Sequence, residues 1–325
     1  AAAMAMLFVQ CSYADDELPP LVVTATRQDT RVSQSLSDVT ILSAEDIRRA
    51  GPNTSLAELL GRQPGIEFTQ NGGAGATSSI YVRGSNANHV LLLIDGQRVG
   101  SASSGAPAWE AIPLAQIERI EIVRGSASAL YGSDAIAGVV QVFTRTGQGP
   151  AQPFFELGHG TYNTTAMAAG LSGALNGWKY SVQVADKRSD GFSAINNPSS
   201  VYYSRDKDGY RYASSSGQVS YALAAGQEVG ASYVYSDGWA RYDSLGDTSP
   251  ASDDYKQLQT LSSLNVYSRN QLSDAWTSTL RVGQSTDDTR QLDNGTRTSV
   301  IRTAQTQYQW QNDIKLAQGK VLAGL

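Results

Sequence analysis

Two hydrophobic rhythms divide the chain, and the change falls at about Gly147 to Pro153. Before it, Ile, Leu and Val come in short blocks separated by glycine, proline and helix-capping signals. Val39 to Leu42 reads as a strand. Ser43 with Asp46 three residues on reads as a helix start, and Gly51-Pro52 as its stop. A second helix, SLAELLGRQ, starts from Asn53 or Thr54 and ends at Pro64-Gly65. Strands follow at Ile66 to Thr69 and, past a glycine-rich bend, at Ile80 to Arg83. Val90 to Ile94 is next, apolar at every position, so it must lie inside something. Asp95-Gly96 makes a tight turn. After a loop carrying Trp109, a short helix from Pro113 leads to a strand at Arg119 to Val123. A helical turn at Ala127 to Tyr131 and a strand at Val139 to Arg145 complete one α+β unit, residues 31–148.

From Phe154 the period is two. Tyr180, Val182 and Val184 alternate with Lys179, Ser181 and Gln183; further on, Thr303, Gln305, Gln307, Gln309 and Gln311 share one face, and Ala304, Thr306, Tyr308 and Trp310 the other. Short turns at 175–177, 224–227, 270–274 and 317–319 interleave with longer loops at 189–209, 236–254 and 287–295. Ribbons greasy on one side and wet on the other, joined short at one end and long at the other, are the pattern of a transmembrane antiparallel β-barrel. A polar inner face argues against a small soluble barrel, whose interior must be apolar. Residues 149–325 supply about nine strands, the last stopping mid-pattern, and an open edge cannot stand in lipid, so more strands are expected.

Composition sharpens this picture. Net charge is −5 with no Lys/Arg run, which excludes a nucleic-acid partner. No apolar run is long enough to cross a bilayer as a helix, so any membrane route is through strands. Residues 1–14, apolar and ending Ser12-Tyr13-Ala14, read as the end of a secretory signal, and the only cysteine, Cys11, would leave with it. Residues 15–30 are polar and proline-stiffened around Leu21 to Arg27, LVVTATR, an extended stretch that is either the first strand of the next domain or a segment kept for pairing with another protein.

Chemistry of the enzymatic kind finds no footing. His89 and His159 lie far apart, no Ser/His/Asp or two-carboxylate arrangement stands out, and the bend at Gly72 to Gly75 is not followed by the helix a phosphate cradle needs. Arg83, Arg98, Arg119, Arg124, Glu118 and Glu121 are expected to lock the unit to the polar wall of the barrel.

LVVTATR, LLGRQPGI, YVRGSNANHVLLLIDG, IERIEIVRG and ALYGSDAIAGVVQV together resemble the TonB-dependent outer-membrane receptors, and among them most the cobalamin receptors. The resemblance implies a plug, residues 31–148, inside a barrel of about 22 strands. It implies active uptake of cobalamin or a related corrinoid by a monomer set in outer-membrane lipid. Leu21, Val22, Val23, Thr24, Ala25, Thr26 and Arg27 would form the TonB box, offered to the periplasmic domain of TonB by strand pairing. Thr77, Ser79, Asn86, Ser103, Ser104, Ser244 and Ser299 match substrate-contact positions, though each also suits plain turn chemistry. Asp190, Asp206, Asp208, Tyr242, Asp243 and Asp254 match a calcium-binding set, with Asp253 a rival for the last; Ser204 stands where the family has an amide. Calcium takes ~6 to 8 oxygens, so carboxylates from two neighbouring loops could order the rim over the substrate. A ferric-siderophore receptor is the alternative within the class, and a passive porin outside it, though the porin gives a plug no role.

Overall fold

The computed structural model describes residues 22–23, 30–31, 37–195, 197–200, 202–203, 206–243 and 254–325. Val22–Val23 (β1) pair antiparallel with Thr30–Arg31 (β2) in a ladder of their own. Among the described residues this piece of the extended tail belongs to neither of the large sheets, while Leu21 and Thr24 to Arg27 lie outside the described residues.

The elements of the α+β unit follow from local signals. After β3 (Asp38–Leu42), α1 (Ala44–Ala50) opens on a reciprocal cap. The Ser43 hydroxyl accepts from the Asp46 N–H at 3.2 Å, and the Asp46 carboxylate accepts from the Ser43 N–H at 2.9 Å. α2 (Leu56–Gly61) is capped by Ser55 rather than by Asn53 or Thr54. The Thr54 hydroxyl donates back to the Ala50 carbonyl at 2.6 Å, leaving Ser55 to accept from the Glu58 N–H at 3.1 Å. β4 (Ile66–Gln70) and β5 (Ser78–Val82) then pair across the glycine bend. β6 (Val90–Ile94), β7 (Gln97–Val99), β8 (Ile117–Arg124), α3 (Ser128–Tyr131) and β9 (Gly138–Thr144) complete the unit.

Its main sheet runs β3-β8-β9-β6-β7, with β6 parallel to β9 and the other pairs antiparallel. All of β6 is buried, as its sequence requires, and its two faces feed two apolar clusters. Leu92 and Ile94 join Leu56, Leu60, Trp109 and Ile122 on one side; Leu91 and Leu93 join Val123 and Val139 on the other. Each such side chain stabilises the fold by about 1.5 to 3 kcal/mol relative to exposure, which is why a strand apolar on both faces holds the middle. Asp95 closes the β6–β7 hairpin at φ 48°. Its carboxylate accepts from the Thr144 N–H at 2.9 Å and the Thr144 hydroxyl at 2.8 Å, tying the hairpin to the end of β9.

The second body is a nine-stranded sheet in chain order, every neighbour antiparallel. Its strands are β10 (Gln152–Gly160), β11 (Thr164–Leu175), β12 (Trp178–Ser189), β13 (Tyr210–Ala224), β14 (Gln227–Arg241), β15 (Tyr255–Ser273), β16 (Trp276–Asp293), β17 (Thr296–Leu316) and β18 (Gly319–Gly324). Burial inverts the soluble rule: Val182 and Val184 are 49% and 54% exposed, whereas Ser181 and Gln183 between them are 5% and 2% exposed. The outer face is the greasy one. The connection expected as a loop at 287–295 is instead a tight Asn294-Gly295 turn, at φ 48° and 78°, with both strands running up to it. An Asn-Gly pair meets the positive-φ demand of a two-residue hairpin, so no loop is needed.

The polar inner face bonds the plug through backbone more than through charge. Gln305 donates to the Gly100 carbonyl at 3.0 Å, Ser285 to the Arg98 carbonyl at 2.8 Å, and Asn265 to the Asp95 carbonyl at 3.3 Å. Gln307 and Thr303 accept from the Arg98 and Ala102 N–H groups at 3.2 and 2.9 Å. Lys187 donates to the carbonyls of Asn53 and Thr54 at 2.6 and 3.2 Å. The expected ionic lock is corrected here. Arg83 and Arg124 pair with Asp38, Arg98 with Asp134 and Arg119 with Glu121, while Glu118 accepts from Thr146, all within the plug. Arg124 faces Asp38 across the β3–β8 ladder and Arg119 stands two residues from Glu121 on β8, so each meets an acid of the plug. The inner face is also not uniformly wet: Tyr210, Tyr212, Val234, Ala240 and Leu261 join the plug's core.

Replacing Asp95 with Ala leaves the Thr144 N–H without its acceptor and should destabilise the β6–β7–β9 corner by about 2 kcal/mol. In the full-length protein this appears as faster hydrogen exchange at the Thr144 amide than at β3; exchange unchanged at Thr144 refutes the role.

Candidate functional site

At the end of the barrel where the long connections gather, the glycine bend between β4 and β5 meets the loop between β12 and β13. Gly75, at φ 91°, lies so close to the Tyr210 ring that a Cβ there would collide with it, and the Tyr212 hydroxyl donates to the Gly75 carbonyl at 3.1 Å. A Cβ on Gly73 would stand 3.6 Å from the Asp208 carbonyl and 3.7 Å from the Phe192 ring. The bend therefore forms the floor on which the acidic loop rests.

That loop converges on three carboxylates. One oxygen each of Asp206, Asp208 and Asp243 lies within 4.8 Å of the others, bringing the β12–β13 and β14–β15 connections together. Asp208 is 2% exposed, and its Oδ2 accepts from the Ala194 N–H at 2.8 Å. Its Oδ1 is buried with no partner. Asp243 accepts from the Ile195 N–H at 2.9 Å. Burial first, then the charges of Asp243 and Asp206, push the Asp208 carboxyl up to about 6; burial likewise raises Asp243. Three carboxylates crowded together with an unpartnered buried oxygen are a donor set suited to a hard divalent cation.

The rest of the acidic set is placed differently. Asp254 takes the Arg241 Nε at 2.8 Å, and Asp190 accepts from the Asn163 side chain at 3.4 Å. Neither is among the three converging carboxylates. Tyr242 precedes Asp243, its ring 5.8 Å from that of Tyr255. Ser204, Ser244 and Asp253 lie outside the described residues.

The small polar residues expected to face a substrate occupy two rims of the plug. Thr77 donates to Gln257 on β15 at 3.1 Å, and Ser79 sits half-buried on β5 opposite Thr69. Asn86 is exposed, its carbonyl accepting from His89 at 3.0 Å at the start of a short 3-10 turn. Ser103 and Ser104 are exposed in the turn after β7, where the Ser104 hydroxyl donates to the Ala106 carbonyl at 3.3 Å. Thr303, which accepts from Ala102 in that turn, shares the inward face of β17 with Ser299. So Ser299 lies four residues further along the strand face that holds the Ser103–Ser104 turn, and Thr77 and Ser79 join the acidic side.

One residue escaped the sequence reading. Glu110, in the 3-10 turn Trp109–Ala111, accepts from the Ser78 N–H at 3.1 Å and the Ser78 hydroxyl at 3.0 Å, fixing the strand between Thr77 and Ser79. Burial raises it to about 7, with the nearby charge of Asp287 adding to the effect. A lone acid inside the apolar run APAWEAIP was the available signal.

Residues 31–139 match the TonB-dependent receptor plug domain family. The vitamin B12 transporter BtuB of Photobacterium profundum is 32% identical over 94% of this chain and 48% of its own length. That of Vibrio cholerae is 40% identical over 53% of this chain and 29% of its own. Among solved structures, the siderophore receptor PirA from Acinetobacter baumannii superposes with a TM-score of 0.72 at 20% identity, over 94% of this chain and 49% of that one. The ferric yersiniabactin uptake receptor FyuA from Yersinia pestis gives 0.68 at 17%, over 89% and 47%. The chain spans about half the length of the Photobacterium relative and of these receptors.

Because the folded Asp208 carboxyl sits near 6 and a free one near 3.8, the folded loop binds the proton more tightly. In metal-free protein the 190–209 segment should therefore gain stability as pH falls from 7 towards 4, read as slower hydrogen exchange after correction for the intrinsic rate. Asp208→Asn should flatten that dependence; an unchanged slope would exclude Asp208 as its source.

Proposed function

We propose, from the premise that residues 31–139 are a TonB-dependent receptor plug domain, that this chain is part of a receptor that takes up cobalamin or a related corrinoid across a bacterial outer membrane. The observation that carries the ligand is the 32% identity, over 94% of this chain, to a protein named as a vitamin B12 transporter. The similarity to siderophore receptors, at 20% identity and below, supports the fold and says nothing of the cargo.

In this reading the outward rims of the plug, Thr77 and Ser79 on one side and Asn86, Ser103 and Ser104 on the other, with Ser299 of the wall, offer hydrogen bonds to the polar side arms of a large flat ligand. Ser244 is proposed to add to them. The Asp206, Asp208 and Asp243 carboxylates hold calcium, with Asp190, Tyr242 and Asp254 as further candidate ligands. Calcium, when bound, supplies the positive charge that lets these carboxylates stay together. Their loop, resting on the Gly73 floor, then becomes a fixed rim.

Residues 1–14 direct export, and Leu21 to Arg27 pair with periplasmic TonB. A two-residue ladder between β1 and β2 offers little resistance to exchange for a longer one. Pull on the tail reaches β3 first, where Arg83 and Arg124 hold Asp38.

Equilibrium binding of cyanocobalamin to the full-length receptor, with calcium and with chelator, tests both parts. Binding is expected in calcium and about tenfold weaker in chelator, within the ordinary range for two coupled sites, and the D206N/D208N/D243N triple variant should resemble the chelated protein. Absence of binding in both conditions rejects the corrinoid and turns attention to ferric siderophores; equal binding in both rejects the calcium rim.

A further inference from the structure

The outer face of the sheet carries an ordered group of cations just beyond its apolar band. Lys187, Tyr212, Ala240 and Gln257 face the plug, so alternation turns Arg188, Arg211, Trp239, Arg241 and Lys256 outward. Across β12 to β15 they stand in register, with Arg188 opposite Arg211, Arg211 opposite Trp239, and Arg241 opposite Lys256. Trp239 gathers two of them: the Lys256 Nζ lies 4.9 Å and the Arg241 Cζ 5.6 Å from its ring.

Two acids reach this group. Asp186 takes the Arg211 Nε and Asp254 the Arg241 Nε, each at 2.8 Å, while Arg188 has no partner among the described residues. A third acid, Asp237, shares the outward face of β14 two residues before Trp239, where it accepts from the Thr260 hydroxyl at 2.6 Å. Four cations against three acids still leave a net positive patch. Like charges directly opposite each other weaken a ladder, so the Arg188–Arg211 pair is a standing cost unless an anion bridges it. Guanidinium groups side by side suit the oxygens of a phosphate.

The patch also lies at a telling height. Val184 belongs to the greasy outer band, and Arg188 is four residues further along β12, about 13 Å of strand or roughly 9 Å along the normal of a tilted sheet. That is headgroup depth, where a tryptophan is also at home. We propose that Arg188, Arg211, Arg241 and Lys256, gathered round Trp239, bind the phosphate-bearing headgroup of an anionic membrane lipid on the outer surface of the receptor.

The proposal rests on the membrane reading above, and its test separates the two. The full-length receptor is placed in nanodiscs of phosphatidylcholine containing a minor fraction of phosphatidic acid, and the lipids it retains are counted by native mass spectrometry. The unaltered receptor should retain phosphatidic acid over phosphatidylcholine, and added inorganic phosphate should not displace it. R188Q/R211Q should retain about thirtyfold less, and R188Q alone, which breaks no partnership, about fivefold less. R49Q/R62Q, on the plug helices, should match the unaltered receptor. No preference for phosphatidic acid, a preference that survives R188Q and R188Q/R211Q, or displacement by inorganic phosphate overturns the lipid site. Failure to enter the nanodiscs at all overturns the membrane reading instead.

Discussion

A wall of polar side chains enclosed by a membrane-type sheet has to find partners, because a buried hydrogen-bonding group left unmade costs more than a made one returns. Here the partners are the plug's loops. The Arg98, Gly100 and Ala102 backbone lies on the open edge of β7 and just beyond it, and Gln305, Gln307, Ser285 and Thr303 satisfy it. Each surface completes the other, and neither would be stable bare. The arrangement favours neutral side chains: amides and hydroxyls can be exchanged for water one at a time, without stranding a charge when the plug shifts.

The outward rim follows from the same closeness. The acidic connection rests on the bend at Gly73, which has no side chain to hold it off, and through Ala194 and Ile195 its backbone is hydrogen-bonded to Asp208 and Asp243. Ordering the carboxylates therefore orders the loop, and the loop touches the same bend that leads to Thr77 and Ser79. Glu110 braces that strand from below through Ser78. The Asp208 carboxylate and the Thr77 and Ser79 hydroxyls are thus linked through one glycine bend.

Much of this was readable from the residues. The all-apolar β6, the Ser43 cap and the alternation of β12 and β17 each carry a local signal strong enough to name the element. What was not readable depends on who reaches whom first. The arginines expected to bind the wall found Asp38, Asp134 and Glu121 within the plug: Asp38 stands opposite Arg124 on the neighbouring strand β3, Glu121 two residues from Arg119 on β8, and Asp134 in a turn. Asn294-Gly295 reads as part of a loop in the sequence because the strands either side of it carry charges and threonines, which suit a loop as well as a strand. The convergence of Asp206, Asp208 and Asp243 without Asp190 or Asp254 is likewise decided by competition, Arg241 having claimed Asp254.

The strand order of the plug, β3-β8-β9-β6-β7, has a mechanical reading. β3, next after the N-terminal tail, forms one margin of the sheet, while β7, whose backbone the barrel grips, forms the other. A pull on Asp38 directed away from the sheet's edge loads the β3–β8 ladder one bond at a time, as in a zip, whereas a pull along the strand would load all of it at once in shear. A modest force can then strip one strand while the opposite margin stays moored, so that the stopper loosens in part, remains in place, and can close again by rewinding a single strand.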